Sequence, residues 1–371
     1  MVRWTKWHDR DEIRALWELR FEDSPAFLDW FFQERFSPDH SAVSVEDGRI
    51  VSSIQSYPFH IKIRNAILPC TIIAGVSTLP AYEGRGHMGR TMRFYMNGIA
   101  ERGGIVIPYR PEILAMYEGF GHYPVSRTAY VQVTKPTCAL LDHSMQAIPL
   151  DLKRDVSAIH ACYYRFTQRY SGILSRSLAD MRLKLADYAS DGANCLGILD
   201  GSSLRGYCVY FCHECVSAEE WIANDSACEQ ALFQALCYEA AKAGKTLNGK
   251  LPPDTSITGN GIALTVRPMG VMGVGNVAAL LSAVGRNPAY RVSVTDNTVP
   301  ANNGIFDFAG NRCTGTPHFQ LDAGRLGQFL CGYRSLAALA ADGQAILLDS
   351  GAAEELDAVF PCQTCYIVDE Y

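Results

Sequence analysis

Residues Thr78 to Met92 read TLPAYEGRGHMGRTM, with Gly84 and Gly86 on either side of Arg85. A helix N-terminus carries unpaired backbone N–H groups and a partial positive charge. A glycine-rich turn just ahead of it lets a pyrophosphate approach those groups. Here a buried strand pattern (Ile72 to Leu79) and Pro80 precede the glycines, a helical pattern follows, and Arg85 and Arg90 add positive charge. The loop is too short for a P-loop, lacks Gly-Lys-Ser/Thr, and is not Gly-x-Gly-x-x-Gly. An ordinary strand-to-helix turn with the same glycines fits the local spacing equally well.

Two Cys-x-x-Cys pairs, Cys212/Cys215 (with His213 between) and Cys362/Cys365, raise zinc as a possibility. Zinc modules bring such pairs much closer together in sequence. Cys212 and Cys215 also continue the apolar run GYCVYFC, where cysteine behaves as a small hydrophobe. No metal is expected.

The elements that would position the loop are legible. DRDEIRALWELRF has helical spacing, with Ile13, Leu16, Trp17 and Leu19 or Phe21 as its inner face. SPAFLDWFFQERF follows, with Ser24 as cap and Pro25 at the first helical position. SAVSVEDGRIVSSIQSYPFHIKI alternates around Asp47-Gly48, a hairpin signal. AILPCTIIAGVSTL supplies a further strand. After the loop, Met88, Met92, Tyr95, Met96 and Ile99 share a helical face, then come a short strand (IVIPY), a short helix (PEILAMYEGFG) and a returning strand. A similar mix recurs from about Leu150 to Arg267 without a glycine-rich loop before its last helix, and a smaller α+β pattern follows.

The 371 residues exceed what one core usually holds. With 48% hydrophobic and 19% charged residues, the chain reads as folded. A net charge of -6 without a basic block argues against nucleic acid. No apolar run reaches the roughly 18 residues of a membrane span, and the charged start lacks an apolar signal core. A cytoplasmic location with reduced cysteines is expected.

GVSTLPAYEGRGHMGRTM, then VIPY, then MYEGFGHYP resembles the GCN5-related N-acetyltransferases (GNAT). SVTDNTVPANNGIFDF, GQFLCGYRSLAAL and the closing AVFPCQTCYIVDEY extend the likeness over the whole chain, to the enhanced intracellular survival (Eis) acetyltransferases. The resemblance implies an α/β (α+β) fold: tandem GNAT domains with mixed central sheets plus a C-terminal sterol-carrier-protein-like α+β domain. The expected domains are 1–134, binding acetyl-CoA; 135–268, GNAT-like without a cofactor site; and 269–371, whose tail reaches the active site.

The resemblance further implies an N-acetyltransferase using acetyl-CoA as co-substrate, without metal. Acceptors would be aminoglycosides, polyamine-like molecules or lysine side chains, and the assembly a homo-oligomer, a hexamer in the family. Cofactor contacts fall on Val76, Thr78, Gly84, Arg85, Gly86, His87, Met88, Gly89 and Arg90. Tyr117 becomes the acid that protonates the leaving thiolate, although it also suits helix packing. The α-carboxylate of Tyr371 would reach the site and orient the cation or act through water. Phe27, Asp29, Trp30 and Phe31 either line the acceptor pocket, where aromatic faces favour a cation, or pack the core. Departures from the pattern are Glu83, where Arg or Gln is usual, Met88, His122 in place of the tyrosine of Phe-Gly-Tyr, and Tyr371 in place of the commoner terminal phenylalanine. Two other readings remain open: a non-catalytic lipid or small-ligand binder, and an acyltransferase using longer acyl-CoA.

Overall fold

Strand β1 (Val2–Trp4) leads into helices α1 (Arg10–Arg20) and α2 (Pro25–Glu34). The structure is a computed structural model, and it describes residues 1–137, 147–285 and 289–369. Helix α1 buries Ile13, Leu16 and Trp17 as its spacing requires. Leu19 is 59% exposed, because it lies on the flank of that stripe, and Phe21 is half-buried. Helix α2 starts where Ser24 Oγ accepts from Phe27 N–H at 3.0 Å, with Pro25 as its first residue.

Strands β2 (Ala42–Glu46) and β3 (Arg49–Ile63) form the hairpin around Asp47 and Gly48, both at positive φ. Then come β4 (Ala66–Thr78), α3 (His87–Glu101), β5 (Val106–Tyr109), α4 (Ala115–Glu118) and β6 (Tyr123–Pro124). The middle of the chain supplies β7 (Arg127–Val133), β8 (Ala147–Pro149), α5 (Val156–Thr167), β9 (Ile173–Leu174) and α6 (Leu178–Ser190). It continues with β10 (Asn194–Asp200), β11 (Ser203–Cys212), β12 (Val216–Ala223), α7 (Ser226–Ala243), β13 (Leu247–Leu251) and β14 (Ile262–Pro268).

Among the described residues the chain forms two compact units. One combines Met1–Ser126, Ser171–Leu174 and the chain from Met269 onward; the other combines Arg127–Tyr170 and Ser175–Pro268. In the first, β15 (Val271–Val274) enters the sheet between β5 and β6, giving the order β1-β2-β3-β4-β5-β15-β6, with β9 paired to β3. In the second, the order is β14-β7-β13-β12-β11-β10-β8.

The two sheets repeat one pairing scheme. Four antiparallel strands (β1 to β4, and β8, β10, β11, β12) are followed by a parallel neighbour (β5, β13) reached through a helix (α3, α7), and then by two antiparallel strands. This is the tandem α/β arrangement. The sheet faces of the first unit are covered by α1 and α2 on one side and by α3 on the other, where Met92, Tyr95, Met96 and Ile99 are buried.

The remaining elements are α8 (Val277–Val284), β16 (Arg291–Thr295), β17 (Gly304–Asp307), β18 (Phe319–Asp322), α9 (Ala323–Cys331), α10 (Leu336–Ala341), β19 (Ala345–Leu347) and α11 (Ala352–Val359). Their four-stranded sheet, β17-β16-β18-β19, and its helices enclose Phe306, Phe308, Phe319, Phe329 and Phe360. This α+β body shares a continuous apolar core with α1, α2 and the first sheet.

Candidate active site

The registered pairing of β4 with β5 is confined to Cys70↔Val106. Beyond it the two strands have separate partners. β5 pairs with β15 from Val106 to Tyr109, so the facing edge of β4 from Ile72 to Thr78 has no registered strand partner among the described residues. A bulge adds to the divergence: Ser53 opposes Ser77 but Gln55 opposes Ala74, leaving Gly75 and Val76 against one residue of β3. Gly75 sits at φ +56, and a Cβ there would fall 2.2 Å from the Trp17 ring. Only glycine fits both the left-handed backbone and that close approach.

A cavity of about 790 Å³ opens along this gap. Its walls are the β4 edge, the loop ahead of α3, the end of α1, and the segment from Tyr109 to Tyr117. At the loop, Gly84 and Gly86 take φ of +72 and +76. Gly86 is the N-cap of α3, with no acid in the first turn and, among the described residues, no side chain bonded to its N–H groups. Gly84, Gly86, His87 and Met88 line the cavity. The equivalent start of α7 differs: Asp225 caps it, accepting from Cys228 N–H at 2.9 Å while its other oxygen pairs with Arg205.

The other loop residues are placed as follows. Val76 and Thr78 line the cavity from β4. His87 is buried and held by Ser44 Oγ at 2.9 Å and Glu46 at 3.0 Å, with the Arg90 guanidinium 3.1 Å from its Nδ1. Arg90 also donates to the Arg85 carbonyl, and Arg85 lies 5.0 Å above the Tyr82 ring. Arg85, Gly89 and Arg90 are not part of the cavity wall. Glu83 is paired with Arg20 at 2.7 Å, and both line the cavity.

Tyr117 is buried in α4 and lines the cavity opposite the β4 edge. Its hydroxyl makes no hydrogen bond among the described residues. Burial, and then the nearby Glu112 carboxylate, push its pKa up to about 12. The phenol therefore stays protonated throughout the neutral range.

The aromatic run on α2 lies elsewhere. Phe31 is fully buried against Trp17 at 4.7 Å between centroids, and Phe27 and Trp30 pack on the same core. Asp29 is exposed and paired with Arg14 at 2.6 Å. None of the four lines the cavity. Besides Tyr82, Glu83, Tyr109 and Tyr117, the acidic and aromatic groups on the wall include Trp17, Phe21, Asp23 and Glu112, and Asp23 accepts from Trp17 Nε1 at 2.7 Å. Sequence reasoning assigned Trp17 and Phe21 to the inner face of a helix, and did not single out Asp23 or Glu112 because neither carries a motif of its own. The only local signal was Asp23 beside the Ser24 cap.

Tyr371 lies outside the described residues. The tail that leads to it is buried from Cys365 to Asp369, and Arg110, on the cavity wall, donates to the Ile367 carbonyl at 3.5 Å. Among the described residues no group of three or more His, Cys, Asp or Glu could hold a metal, and no helix is long and apolar enough to cross a membrane.

Residues 2–125 match the acetyltransferase (GNAT) domain, and residues 277–368 match the sterol carrier protein domain. Among solved structures, the GCN5-related N-acetyltransferase from Anabaena variabilis is similar at 15% identity, with a TM-score of 0.83 and complete coverage of both chains. Eis1 from Mycobacterium abscessus is similar at 18% identity and a TM-score of 0.78, again with complete coverage of both. A GCN5-related N-acetyltransferase from Kribbella flavida is similar at 18% identity and a TM-score of 0.78, covering 100% of this chain and 98% of that one. No curated protein matches the chain by sequence.

Residues 2–125 are thus a GNAT acetyltransferase domain, of a family that uses acetyl-CoA as co-substrate. The whole chain shares its fold with Eis1: a tandem GNAT architecture joined to a sterol carrier protein domain.

Proposed function

We propose that the protein transfers an acetyl group from acetyl-CoA to a primary amine by direct attack in a ternary complex. One observation carries this reading: a single cavity joins an uncapped helix N-terminus, an unpaired strand edge and a buried, protonated tyrosine. The free N–H groups at the start of α3 suit a pyrophosphate, the β4 edge suits an extended amide-bearing arm, and Gly84 and Gly86 leave the backbone bare. Acetyl-CoA, when bound, supplies the activated acyl group.

The chain's own residues would do the rest. N–H groups near Val76 and Thr78 orient the thioester oxygen. Tyr117 donates a hydrogen bond toward the sulfur. A phenol at about 12 does not hand its proton outright to a thiolate whose acid form lies at about 8.5, so hydrogen-bond donation is the role that burial favours. Asp23 and Glu112 make the mouth acidic, which suits an aminoglycoside, a polyamine-like molecule or a lysine side chain. The buried tail supports assigning the Tyr371 carboxylate to the same mouth. The Asp225 cap on α7 supports reading residues 135–268 as GNAT-like without a cofactor site, between domains at 1–134 and 269–371. The working form is a cytoplasmic homo-oligomer.

The test is release of CoA thiol, read with a thiol-reactive chromophore, across a panel of amines. Absence of both turnover and acetyl-CoA binding would end this reading. Calorimetry comparing acetyl-CoA with longer acyl-CoA fixes the acyl preference.

A further inference from the structure

The turn after Tyr117 folds back on that residue twice. The His122 N–H donates to the Tyr117 carbonyl at 3.3 Å, closing a turn in which Gly121 takes φ +77. The His122 side chain then meets Tyr109: Nδ1 lies 2.7 Å from the Tyr109 hydroxyl. Tyr109 ends β5, lines the cavity, and sets its ring edge-on to Tyr117 with centroids 5.1 Å apart. One residue thus holds the Tyr117 backbone directly and the Tyr117 ring through Tyr109.

This arrangement carries a cost. His122 is fully buried, and its Nε2 has no hydrogen-bond partner among the described residues. An unpaired buried polar atom is destabilising, and an apolar residue would avoid it. Burial also holds the imidazole pKa down to about 3, so the ring is neutral at working pH. Room for it comes from β15, a strand remote in sequence: a Cβ at Gly273 would fall 2.2 Å from Nε2. The neutral, space-demanding ring is accommodated at one nitrogen's expense so that the other can hold Tyr109.

We propose that Tyr109 and His122 are a positioning pair for the acetyl-transfer reaction: His122 fixes the Tyr109 ring, and Tyr109 fixes how the Tyr117 phenol points into the cavity. The inference rests on the reading of Tyr117 as the donor to the leaving sulfur.

Steady-state kinetics and tyrosine resonances test it together. Tyr109→Phe removes one oxygen, and His122→Leu removes the ring nitrogen that it meets. Each is expected to lower kcat about tenfold, since misplacing a reacting group by a fraction of an ångström costs that order. KM for acetyl-CoA stays within about twofold, because the phosphate end is untouched. His122→Asn, whose amide places a polar atom near the position of Nδ1, restores most of the loss. The Tyr109→Phe, His122→Leu double variant falls no further than either single one, as expected of two residues acting as a unit. Unchanged kcat in both single variants, a loss confined to KM, or losses that multiply would overturn the pair.

Tyrosines labelled with ¹³C at Cζ give a readout that needs no turnover. His122→Leu should shift both the Tyr109 and the Tyr117 resonances, and His122→Asn should return them. A Tyr117 resonance indifferent to His122→Leu and to Tyr109→Phe overturns the inference even in an inert protein. Lack of turnover by the unaltered protein counts against the proposed reaction alone.

Discussion

The Arg64 guanidinium donates to the Phe360 carbonyl at 3.1 Å and lies 5.4 Å above the Phe360 ring, although 296 positions separate the two residues. The same guanidinium reaches the carbonyls of Leu330 at 2.7 Å and Pro361 at 2.9 Å. It stands at the tip of the β3–β4 hairpin, so that hairpin is fastened to the sterol-carrier-like body through backbone oxygens. Arg64→Ala should lower unfolding free energy by about 2–4 kcal/mol, because it leaves several carbonyls without their donor. Arg64→Lys should recover little, since one ammonium cannot span the carbonyls a planar fork reaches. Urea unfolding measures both; a loss under about 1 kcal/mol would contradict the fastening.

Gly75 predicts a coupled loss. Gly75→Ala needs a left-handed alanine and displaces the Trp17 ring into the cavity. Destabilisation of about 2 kcal/mol or more is expected, together with weaker acetyl-CoA binding. Calorimetry beside a thermal melt checks it, and the prediction fails if binding and melting are both unchanged.

Glu83 stands beside the proposed phosphate cradle, but Arg20 already neutralises it. Arg20→Ala should therefore weaken acetyl-CoA binding by roughly three- to fivefold, and Glu83→Gln should strengthen it by a similar or smaller factor, both effects shrinking in high salt. Equal affinities for the two variants would show that neither side chain faces the phosphates.

Tyr117 sets an alkaline signature. Its folded pKa of about 12 lies above the ordinary phenol value, so the native state holds its proton longer than the unfolded chain. Stability from this group is complete below the unfolded value of about 10 and is lost as pH rises toward 12. Tyr117→Phe should lose less stability over that window, and its kcat should drop without any new basic limb between about pH 7 and 9. Turnover equal to that of the unaltered protein would remove Tyr117 from the chemistry.

Local elements were legible wherever one periodicity dominated. The Asp47-Gly48 hairpin, the Ser24-Pro25 helix start and the Met92–Ile99 face follow from spacing and capping alone. The loop at Gly84 and Gly86 was legible as a shape, but the cavity beside it comes from the unpaired edge of β4, a property of which strand β5 joins. That depends on β15, far along the chain. The aromatic run on α2 suited a cation pocket and core packing equally, because composition does not show direction. Its rings turn inward, while Trp17 and Asp23 meet at the cavity through a contact between α1 and the bulge. His122 was visible as a departure from Phe-Gly-Tyr, yet its partner Tyr109 could not be, since their hydrogen bond crosses from a strand end to a turn.

Strand β15 has a consequence for how the molecule comes into being. The first sheet lacks the neighbour of β5 and β6 until Val274 has been synthesised, and β3 lacks β9 until Leu174 has. A ribosome that has released residues 2–125 has therefore released an incomplete sheet with open edges. Excising that stretch as a stand-alone acetyltransferase should yield an aggregating fragment. The emerging chain must instead keep its first strands waiting while more than a hundred later residues arrive, and a slow, late closing step is the expected kinetic outcome.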